Sequence, residues 1–413
     1  MLAELLRGRA CSAVEITRSC LERIREREPT VRAFVHLDEE GAIHQARALD
    51  AQEARGLLHG IPIAVKDTVD VAGLRCTFGT DIHRDRVAPD DAEVVRRLRV
   101  SGAVILGTTV STEYAIARAG PTTNPHEASR TPGGSSSGSA AAVAARMVPL
   151  AVGTQTIGSI VRPSTYCGIF GLKATKNAVP TAGAMPLSPV LDHVGPMART
   201  VADLALAYRV MSGHRERRED NPGIVVRIEG PMDDRMEPAT REALDRGQAL
   251  LIDHGFEVQR RTLPASFSGV VKCWETILFH DLARYHGADQ EAFGDRMSER
   301  FREILAAGRK VSEAEYLQAI AEAQSYRATL LELVPNDAVV LAPATDGVAP
   351  PWSEQTGASY LQGLWSLTGL PTLAVPCGES TGLPIGIQLS ARPNQEYFLL
   401  NVGKLFEPLM KRA

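Results

Sequence analysis

Residues 131–145 read Thr-Pro-Gly-Gly-Ser-Ser-Ser-Gly-Ser-Ala-Ala-Ala-Val-Ala-Ala, a glycine-serine run that leads directly into alanine-rich sequence. Glycine and serine at this density are typical of flexible linkers. Well-patterned apolar sequence on both sides argues against a linker, and the run opens a predicted helix from Ser139 to Arg146. Glycine lets a backbone approach a ligand closely, and a helix N-terminus offers free N–H groups to negative charge. The stretch therefore suits phosphate binding or acyl transfer, and the missing Gly-Lys-Ser/Thr pattern argues against a P-loop.

The composition is that of an ordinary globular protein. The chain has 413 residues, 44% of them hydrophobic and 23% charged, with a net charge of −4. This charge gives no electrostatic case for nucleic acid, and no apolar stretch reaches the length of a membrane span. The six cysteines are far apart and form no CxxC pairs, and the N-terminus lacks the apolar run of a signal peptide. We therefore expect a cytoplasmic protein with reduced thiols.

Strand-like and helix-like segments alternate along the chain, which predicts an α/β fold. The segment Ile61–Lys66 is predicted to be a strand that ends on a lysine, and Met147–Val152 another strand. Short buried strands of this kind indicate a mixed, twisted sheet sandwiched between helices. We expect one large domain with four parts: a helical part at about 1–57, a core at about 58–213, a divergent, mostly helical part at about 214–334 that shapes substrate choice, and a sheet-completing part at about 335–413.

Three polar residues, Lys66, Ser135 and Ser159, are candidates for chemistry. Serine is a poor nucleophile at neutral pH until a neighbouring base takes its proton. Neither serine has a histidine nearby in sequence, and neither lies in a GxSxG elbow. A lysine can be the base if burial keeps it neutral. On the residues alone, other roles stay open: a lysine at a strand end is more often a solvated charge, and both serines also suit helix caps or turns.

Several motifs in order resemble those of the amidase signature family. The resemblance runs from the N-terminal helix to the final strand and helix, and it is weakest over residues 214–334. Its motifs are the glycine-serine run at 131–145, Leu58-His-Gly-Ile-Pro-Ile-Ala-Val-Lys-Asp67, Gly153-Thr-Gln-Thr-Ile-Gly-Ser-Ile-Val-Arg-Pro-Ser-Thr-Tyr-Cys-Gly-Ile-Phe-Gly-Leu-Lys173, Leu191-Asp-His-Val-Gly-Pro-Met-Ala-Arg199 and Gly369-Leu-Pro-Thr-Leu-Ala-Val-Pro376.

This resemblance implies the amidase signature fold and a Ser-cisSer-Lys triad. Ser159 would be the nucleophile, Ser135 the bridging serine after a cis peptide bond, and Lys66 the general base. The two serines are 24 residues apart (159 − 135 = 24), as the family pattern requires. An oxyanion hole would be formed by the backbone N–H groups of Thr156, Ile157 and Gly158.

The chain also departs from the family pattern in its details. Ile157 stands where the family usually has a small residue, and a β-branched side chain there would narrow the acyl pocket or alter the oxyanion loop. Arg162 lies three residues after Ser159, where many relatives have arginine two residues after it, and it suits a substrate carboxylate or a structural salt bridge equally well. Asp192 is expected to support the loop near the site. Further substrate contacts are expected from Gly133, Gly134, Tyr114 and Met185.

The predicted function is hydrolysis of a carboxamide, a linear amide C–N bond other than a peptide bond, through an acyl-enzyme. Two alternatives stay open: a glutamine-hydrolysing subunit of a tRNA-dependent amidotransferase, and a catalytically degenerate scaffold protein. No cofactor or metal is expected, because the histidines show no metal-ligand spacing. The expected partner is a small-molecule amide, with neither nucleic acid nor membrane. The oligomeric state stays open, with a homodimer as our expectation.

Overall fold

The computed structural model describes residues 2–54, 56–214, 223–231 and 233–410. One mixed sheet of eleven strands runs through the molecule in the order β1-β3-β2-β4-β6-β5-β10-β11-β9-β7-β8. The strands are β1 (Phe34–Leu37), β2 (Pro62–Lys66), β3 (Val104–Thr109), β4 (Leu150–Gln155), β5 (Phe170–Lys173), β6 (His193–Ala198), β7 (Ile224–Glu229), β8 (Glu257–Thr262), β9 (Ala338–Pro343), β10 (Thr372–Ser380) and β11 (Leu383–Ser390).

Helices flank the sheet along its whole length. They are α1 (Leu2–Arg7), α2 (Ala13–Val31), α3 (Glu39–Asp50), α4 (Glu93–Val100), α5 (Ser137–Ala144), α6 (Val161–Tyr166), α7 (Val201–Ser212), α8 (Pro238–Asp253), α9 (Val270–Phe293), α10 (Glu299–Gly308), α11 (Glu313–Leu333), α12 (Tyr360–Leu367) and α13 (Glu396–Gly403). Across the described residues, none of these helices is long and apolar enough to span a membrane.

Strand pairing confirms the predicted mixed sheet. Strand β2 is parallel to both β3 and β4, and β7 is parallel to β8 and β9. Between these two groups, each strand is antiparallel to its neighbour in the sheet order β4-β6-β5-β10-β11-β9. Each of the four parts predicted from the sequence contributes at least one strand, so all four are joined by hydrogen bonds within the same sheet.

The two faces of the sheet are covered by different apolar cores. Successive side chains of a strand point to opposite faces. In β9, Val339 and Leu341 belong to a large core cluster, whereas Val340 and Ala342 belong to a second cluster with residues of α9, α10 and α11. The sheet is therefore sandwiched between helices, as the sequence predicts.

Local boundaries around the glycine-serine run differ from the prediction. Helix α5 begins at Ser137 rather than Ser139, and strand β4 covers Leu150–Gln155 rather than Met147–Val152. The chain turns at Arg146, which has a φ of 61°, and Pro149 lacks the N–H that a strand residue would donate. As a result, β4 ends at Gln155, shortly before the predicted nucleophile Ser159.

Candidate active site

Lys66 lies at the end of β2, a strand whose five residues are all buried. Its side chain is 0% exposed, and its Nζ donates hydrogen bonds to Ser135 Oγ at 2.7 Å and to Thr154 Oγ1 at 2.8 Å. Burial lowers the pKa of Lys66 well below its ordinary value, although the negative charges of Asp192 and Asp67 act in the opposite direction. Because burial is the largest influence, the site favours a neutral amine that can accept a proton.

Ser135 lies in the ordered, buried loop between β3 and α5, so the glycine-serine run is not a linker. The peptide bond between Gly134 and Ser135 is cis, as the family resemblance implies. Gly133 has a φ of 80°, and a Cβ atom there would lie 2.9 Å from Pro163 Cα. Both the backbone conformation and the close approach therefore require glycine at this position.

Ser159 follows β4 in a tight turn that leads into α6. The side chain of Gln155 holds this turn, because its Oε1 accepts hydrogen bonds from the backbone N–H groups of Ile160 at 2.8 Å and Val161 at 3.0 Å. The Ser159 carbonyl accepts a bond from Ser136 N at 3.3 Å. Ser135 and Ser159 line the same cavity of about 650 Å³. The structure thus brings together the lysine and the two serines singled out in the sequence.

The segment from Thr156 to Gly158 is held from two sides and also lines the cavity. Thr156 Oγ1 donates to Asp192 Oδ1 at 2.7 Å, and Ser366 Oγ donates to the Ile157 carbonyl at 2.8 Å. Within the described parts of the chain, the backbone N–H groups of Thr156, Ile157 and Gly158 donate no hydrogen bond to another residue. They are free to donate to a bound oxygen.

Asp192 supports this segment without facing the cavity. Its Oδ2 accepts hydrogen bonds from the backbone N–H groups of Leu187 at 2.8 Å and Ser188 at 2.9 Å, in addition to the bond from Thr156. Burial raises the pKa of the Asp192 carboxyl, and these hydrogen bonds oppose the rise. The carboxylate therefore ties the predicted oxyanion segment to the 187–188 segment, consistent with the supporting role expected for it.

Arg162 lies at the cavity wall, but its guanidinium is engaged with the protein. Its Nε and Nη2 donate to the Gly134 carbonyl at 3.2 and 2.8 Å, Nη1 donates to the Gly357 carbonyl at 3.0 Å, and Nη2 donates to Thr356 Oγ1 at 3.1 Å. These partners are carbonyl and hydroxyl oxygens rather than a carboxylate. Arg162 therefore clamps the loop at Gly134 through hydrogen bonds and not through a salt bridge, which was one of the two roles left open by the sequence.

The other expected substrate contacts lie outside the cavity wall. Tyr114 is fully buried, donates from its hydroxyl to Asp289 Oδ2 at 3.0 Å and stacks on Phe301 with ring centroids 4.4 Å apart. Met185 is buried in the apolar cluster beneath α9 and α10. Gly133 and Gly134 shape the loop before Ser135. None of these four residues is among those lining the cavity.

Most of the cavity wall comes from residues that the sequence did not single out. Thr154, the second acceptor for Lys66, lies outside this wall, and the strand sequence around it gives no sign of its contact with Lys66. The opposite wall comes from helices α9 and α10, where the spacing of apolar residues indicates burial but not a pocket. The additional lining residues include Thr112, Arg118, Leu187, Trp274, Glu275, Leu278, Glu299, Arg300, Ile304, Glu354 and Ser359.

Comparison with known proteins finds similarity along nearly the whole chain. Residues 15–400 match the family model described as Amidase. A glutamyl-tRNA(Gln) amidotransferase subunit from Chloroflexus aurantiacus is 36% identical over 459 aligned positions, which cover 96% of this chain and 93% of the relative.

Solved structures agree with this match. A crystal structure described as an amidase superimposes with a TM-score of 0.91 and 30% identity, covering 99% of both chains. Peptide amidase from Stenotrophomonas maltophilia superimposes with a TM-score of 0.85 and 27% identity, covering 98% of this chain and 95% of the other. In each case the similarity extends over nearly the full length of both proteins.

Proposed function

This chain belongs to the amidase family, and on that premise we propose that it is a serine amidohydrolase that cleaves a carboxamide through an acyl-enzyme. The observation that carries the proposal is the 2.7 Å hydrogen bond from buried Lys66 Nζ to Ser135 Oγ, beside the cavity that Ser159 lines. A buried amine of lowered pKa can accept a proton at neutral pH, which is what a serine nucleophile needs from its base.

In the proposed mechanism, Ser159 Oγ attacks the substrate carbonyl carbon and loses its proton to Ser135 Oγ, while Ser135 gives its own proton to neutral Lys66. The charge on the carbonyl oxygen is stabilised by the free N–H groups of Thr156, Ile157 and Gly158. The C–N bond then breaks as Ser135 returns a proton to the leaving nitrogen and recovers one from Lys66. Water attacks the acyl-enzyme by the same route, giving a carboxylate and free Ser159.

The chemistry needs only these side chains and water, so we propose no cofactor. The proposed partner is a small-molecule amide, and we propose a reducing compartment such as the cytoplasm because all six cysteines are free thiols.

The first test is the intact mass of the protein after exposure to a small sulfonyl fluoride. We expect one adduct on wild type, none on Ser159→Ala, and much slower addition to Lys66→Ala. Ser359→Ala is the matched control, because Ser359 lines the same cavity but lies outside the triad. Equal modification of all variants, or modification of none, would reject the triad and favour the scaffold alternative. A positive result justifies a screen of amides for ammonia or amine release.

A second candidate function is glutamine hydrolysis as part of an amidotransferase. It is favoured by the 36% identity to a protein named as one component of a glutamyl-tRNA(Gln) amidotransferase. Co-purification with other subunits, and glutaminase activity only in their presence, would support it. Amide hydrolysis by the isolated chain, with no glutaminase activity even when such subunits are added, would reject it in favour of the first proposal.

A further inference from the structure

The cavity has two distinct sides around Ser159, and each would receive a different part of a substrate. A carbonyl carbon attached to Ser159 Oγ carries an oxygen, a leaving nitrogen and an acyl group. In the proposed mechanism the oxygen faces the N–H groups of residues 156–158, and the nitrogen faces Ser135, which protonates it. The acyl group therefore takes the remaining direction, away from Ser135.

Polar residues reach the cavity on the Ser135 side, together with Ala115, Ile116 and Ala117 of the same segment as Thr112. Thr112 N donates to the Ser135 carbonyl at 3.3 Å, and a Cβ atom on Gly134 would lie 2.8 Å from Thr356 Cγ2, so both threonines are next to the bridging serine. The segments that carry Thr112 and Thr356 also bring exposed Arg118 and Glu354 to the cavity. This side can accommodate a bulky or polar leaving amine.

The side next to the predicted oxyanion segment carries a group of apolar side chains, although Glu275, Glu299 and Arg300 of α9 and α10 also line the cavity. Leu187 lies there, because Asp192 accepts hydrogen bonds from both Leu187 N and Thr156 Oγ1. Ile157 and Leu187 belong to one buried apolar cluster with Trp274, Leu278 and Ile304, and all five also line the cavity. An acyl group that enters this side meets packed hydrocarbon, with Ile157 directly beside the nucleophile segment.

The backbone on both sides of Ile157 is held by hydrogen bonds and close packing. Its carbonyl is held by Ser366 Oγ at 2.8 Å, and Thr156 before it is held by Asp192. Gly158 after it packs closely against Gln362, because a Cβ atom at Gly158 would lie only 2.5 Å from Gln362 Oε1. The β-branched side chain is stiff at χ1 as well, and Ile157 is only 6% exposed.

We propose that Ile157 sets the size limit of the acyl pocket, so that the substrates are amides of compact, apolar carboxylic acids whose bulk or polarity lies on the amine side. This inference rests on the proposed acyl-enzyme mechanism. It assigns specificity to the Ile157 side chain, separately from any role of its backbone N–H group in stabilising the oxyanion.

Two sulfonyl fluorides test the proposal, because their single organic group takes the acyl position. Ser159 Oγ bonds to sulfur, the S–F bond breaks, fluoride leaves, and the serine proton passes through Ser135 to Lys66. We would measure the rates of modification by methanesulfonyl and phenylmethanesulfonyl fluoride. We expect Ile157→Ala to raise the ratio of the phenylmethyl rate to the methyl rate by about tenfold or more, and Ile157→Val to raise it less. The intrinsic reactivities of the reagents cancel between variants.

Ile252→Ala is the matched control, because it makes the same change at an exposed residue outside the cavity wall and should leave the ratio unchanged. A defect in the backbone N–H group of Ile157 would slow both reagents equally, so only a steric role changes the ratio. An unchanged ratio in both Ile157 variants, with wild type still modified at Ser159, would overturn this inference alone. If neither reagent modifies Ser159 of wild type, the proposed mechanism itself fails.

Discussion

The guanidinium of Arg162 donates two hydrogen bonds, at 3.2 and 2.8 Å, to the carbonyl of Gly134, which belongs to the cis peptide bond that leads into Ser135. The same guanidinium reaches Gly357 and Thr356, so one side chain joins the loop of the bridging serine to the segment before α12. Burial lowers the pKa of Arg162, but an arginine stays charged in proteins. Four of its five N–H groups are therefore used to hold two backbone carbonyls and one threonine hydroxyl.

Replacing this arginine should affect folding and catalysis together. We expect Arg162→Lys to lose about 2–3 kcal/mol in the free energy of unfolding, because lysine cannot supply the same fork of donors to buried acceptors. The acylation rate should fall at least about tenfold for every reagent, charged or neutral, because Ser135 is no longer held. Urea unfolding and modification by methanesulfonyl fluoride measure the two effects.

The contrary result would restore the substrate-binding role considered from the sequence. If Arg162→Lys keeps wild-type stability, and loses activity only toward substrates that carry a carboxylate, then Arg162 binds that carboxylate directly.

Asp192 should matter for the geometry of the proposed oxyanion hole. In Asp192→Asn, the carboxylate charge is lost and the amide NH₂ that replaces one oxygen must donate to Thr156 Oγ1 or face a backbone N–H, so the charge-assisted hydrogen bonds from Thr156, Leu187 and Ser188 are weakened. We expect a destabilisation of about 1–3 kcal/mol and a kcat reduced by about tenfold or more. Thr156→Val removes only the bond to Thr156 and should give a smaller effect of the same kind. Equal kcat values for wild type and both variants would contradict this account.

Asp67 should make stability depend on pH in a direction opposite to that of most carboxylates. Burial raises its pKa from 3.8 to about 6, although Thr77 N donates to it at 2.7 Å and Gly79 N at 3.1 Å. Since the folded state then holds the proton more tightly than the unfolded state, the contribution of Asp67 to stability is complete below about pH 4 and is lost as the pH rises through about 6. The rise in pKa corresponds to about 3 kcal/mol.

Urea unfolding of wild type and Asp67→Asn, at several pH values between about 4 and 7, measures this contribution. The unfolding free energy of wild type minus that of Asp67→Asn should fall as the pH rises. A simple loss of hydrogen bonds in the variant would lower its unfolding free energy by the same amount at every pH. Asp81→Asn is the control, because its carboxylate is 84% exposed. A pH-independent difference for Asp67→Asn would show that its pKa is not raised.

The sequence predicts those parts of the site that depend on local order along the chain. Lys66 ends a continuously apolar strand, so its burial can be predicted from its neighbours. Ser135 follows two glycines, so the tight turn there can be predicted in the same way. Ser159 is located by its motif and by its distance from Ser135.

Residues whose surroundings come from distant segments are harder to predict. Tyr114 suits a pocket wall when only its own segment is considered, but Asp289 and Phe301, which lie more than 170 residues later, bury it. The role of Arg162 depends likewise on Thr356 and Gly357. The cavity wall formed by α9 and α10 depends on how the helices pack against the second core, and the periodicity of each helix specifies only which of its faces is buried.

The pH dependence of acylation should follow the protonation of Lys66. Only the neutral amine can accept a proton, so the rate must fall as the pH decreases through the pKa of Lys66, which burial places well below 10.5. We therefore expect the rate of modification by methanesulfonyl fluoride to reach its plateau well below pH 10.5 and to decline on the acid side of the Lys66 pKa. Lys66→Ala should lose most of the rate and this acid limb together, while Ser359→Ala should keep both.

Because the negative charge of Asp192 raises the pKa of Lys66, Asp192→Asn should move the acid limb to lower pH in addition to slowing the reaction. A wild-type limb that titrates near 10.5 would mean that Lys66 is charged at neutral pH, and the general-base role proposed for it would then be wrong.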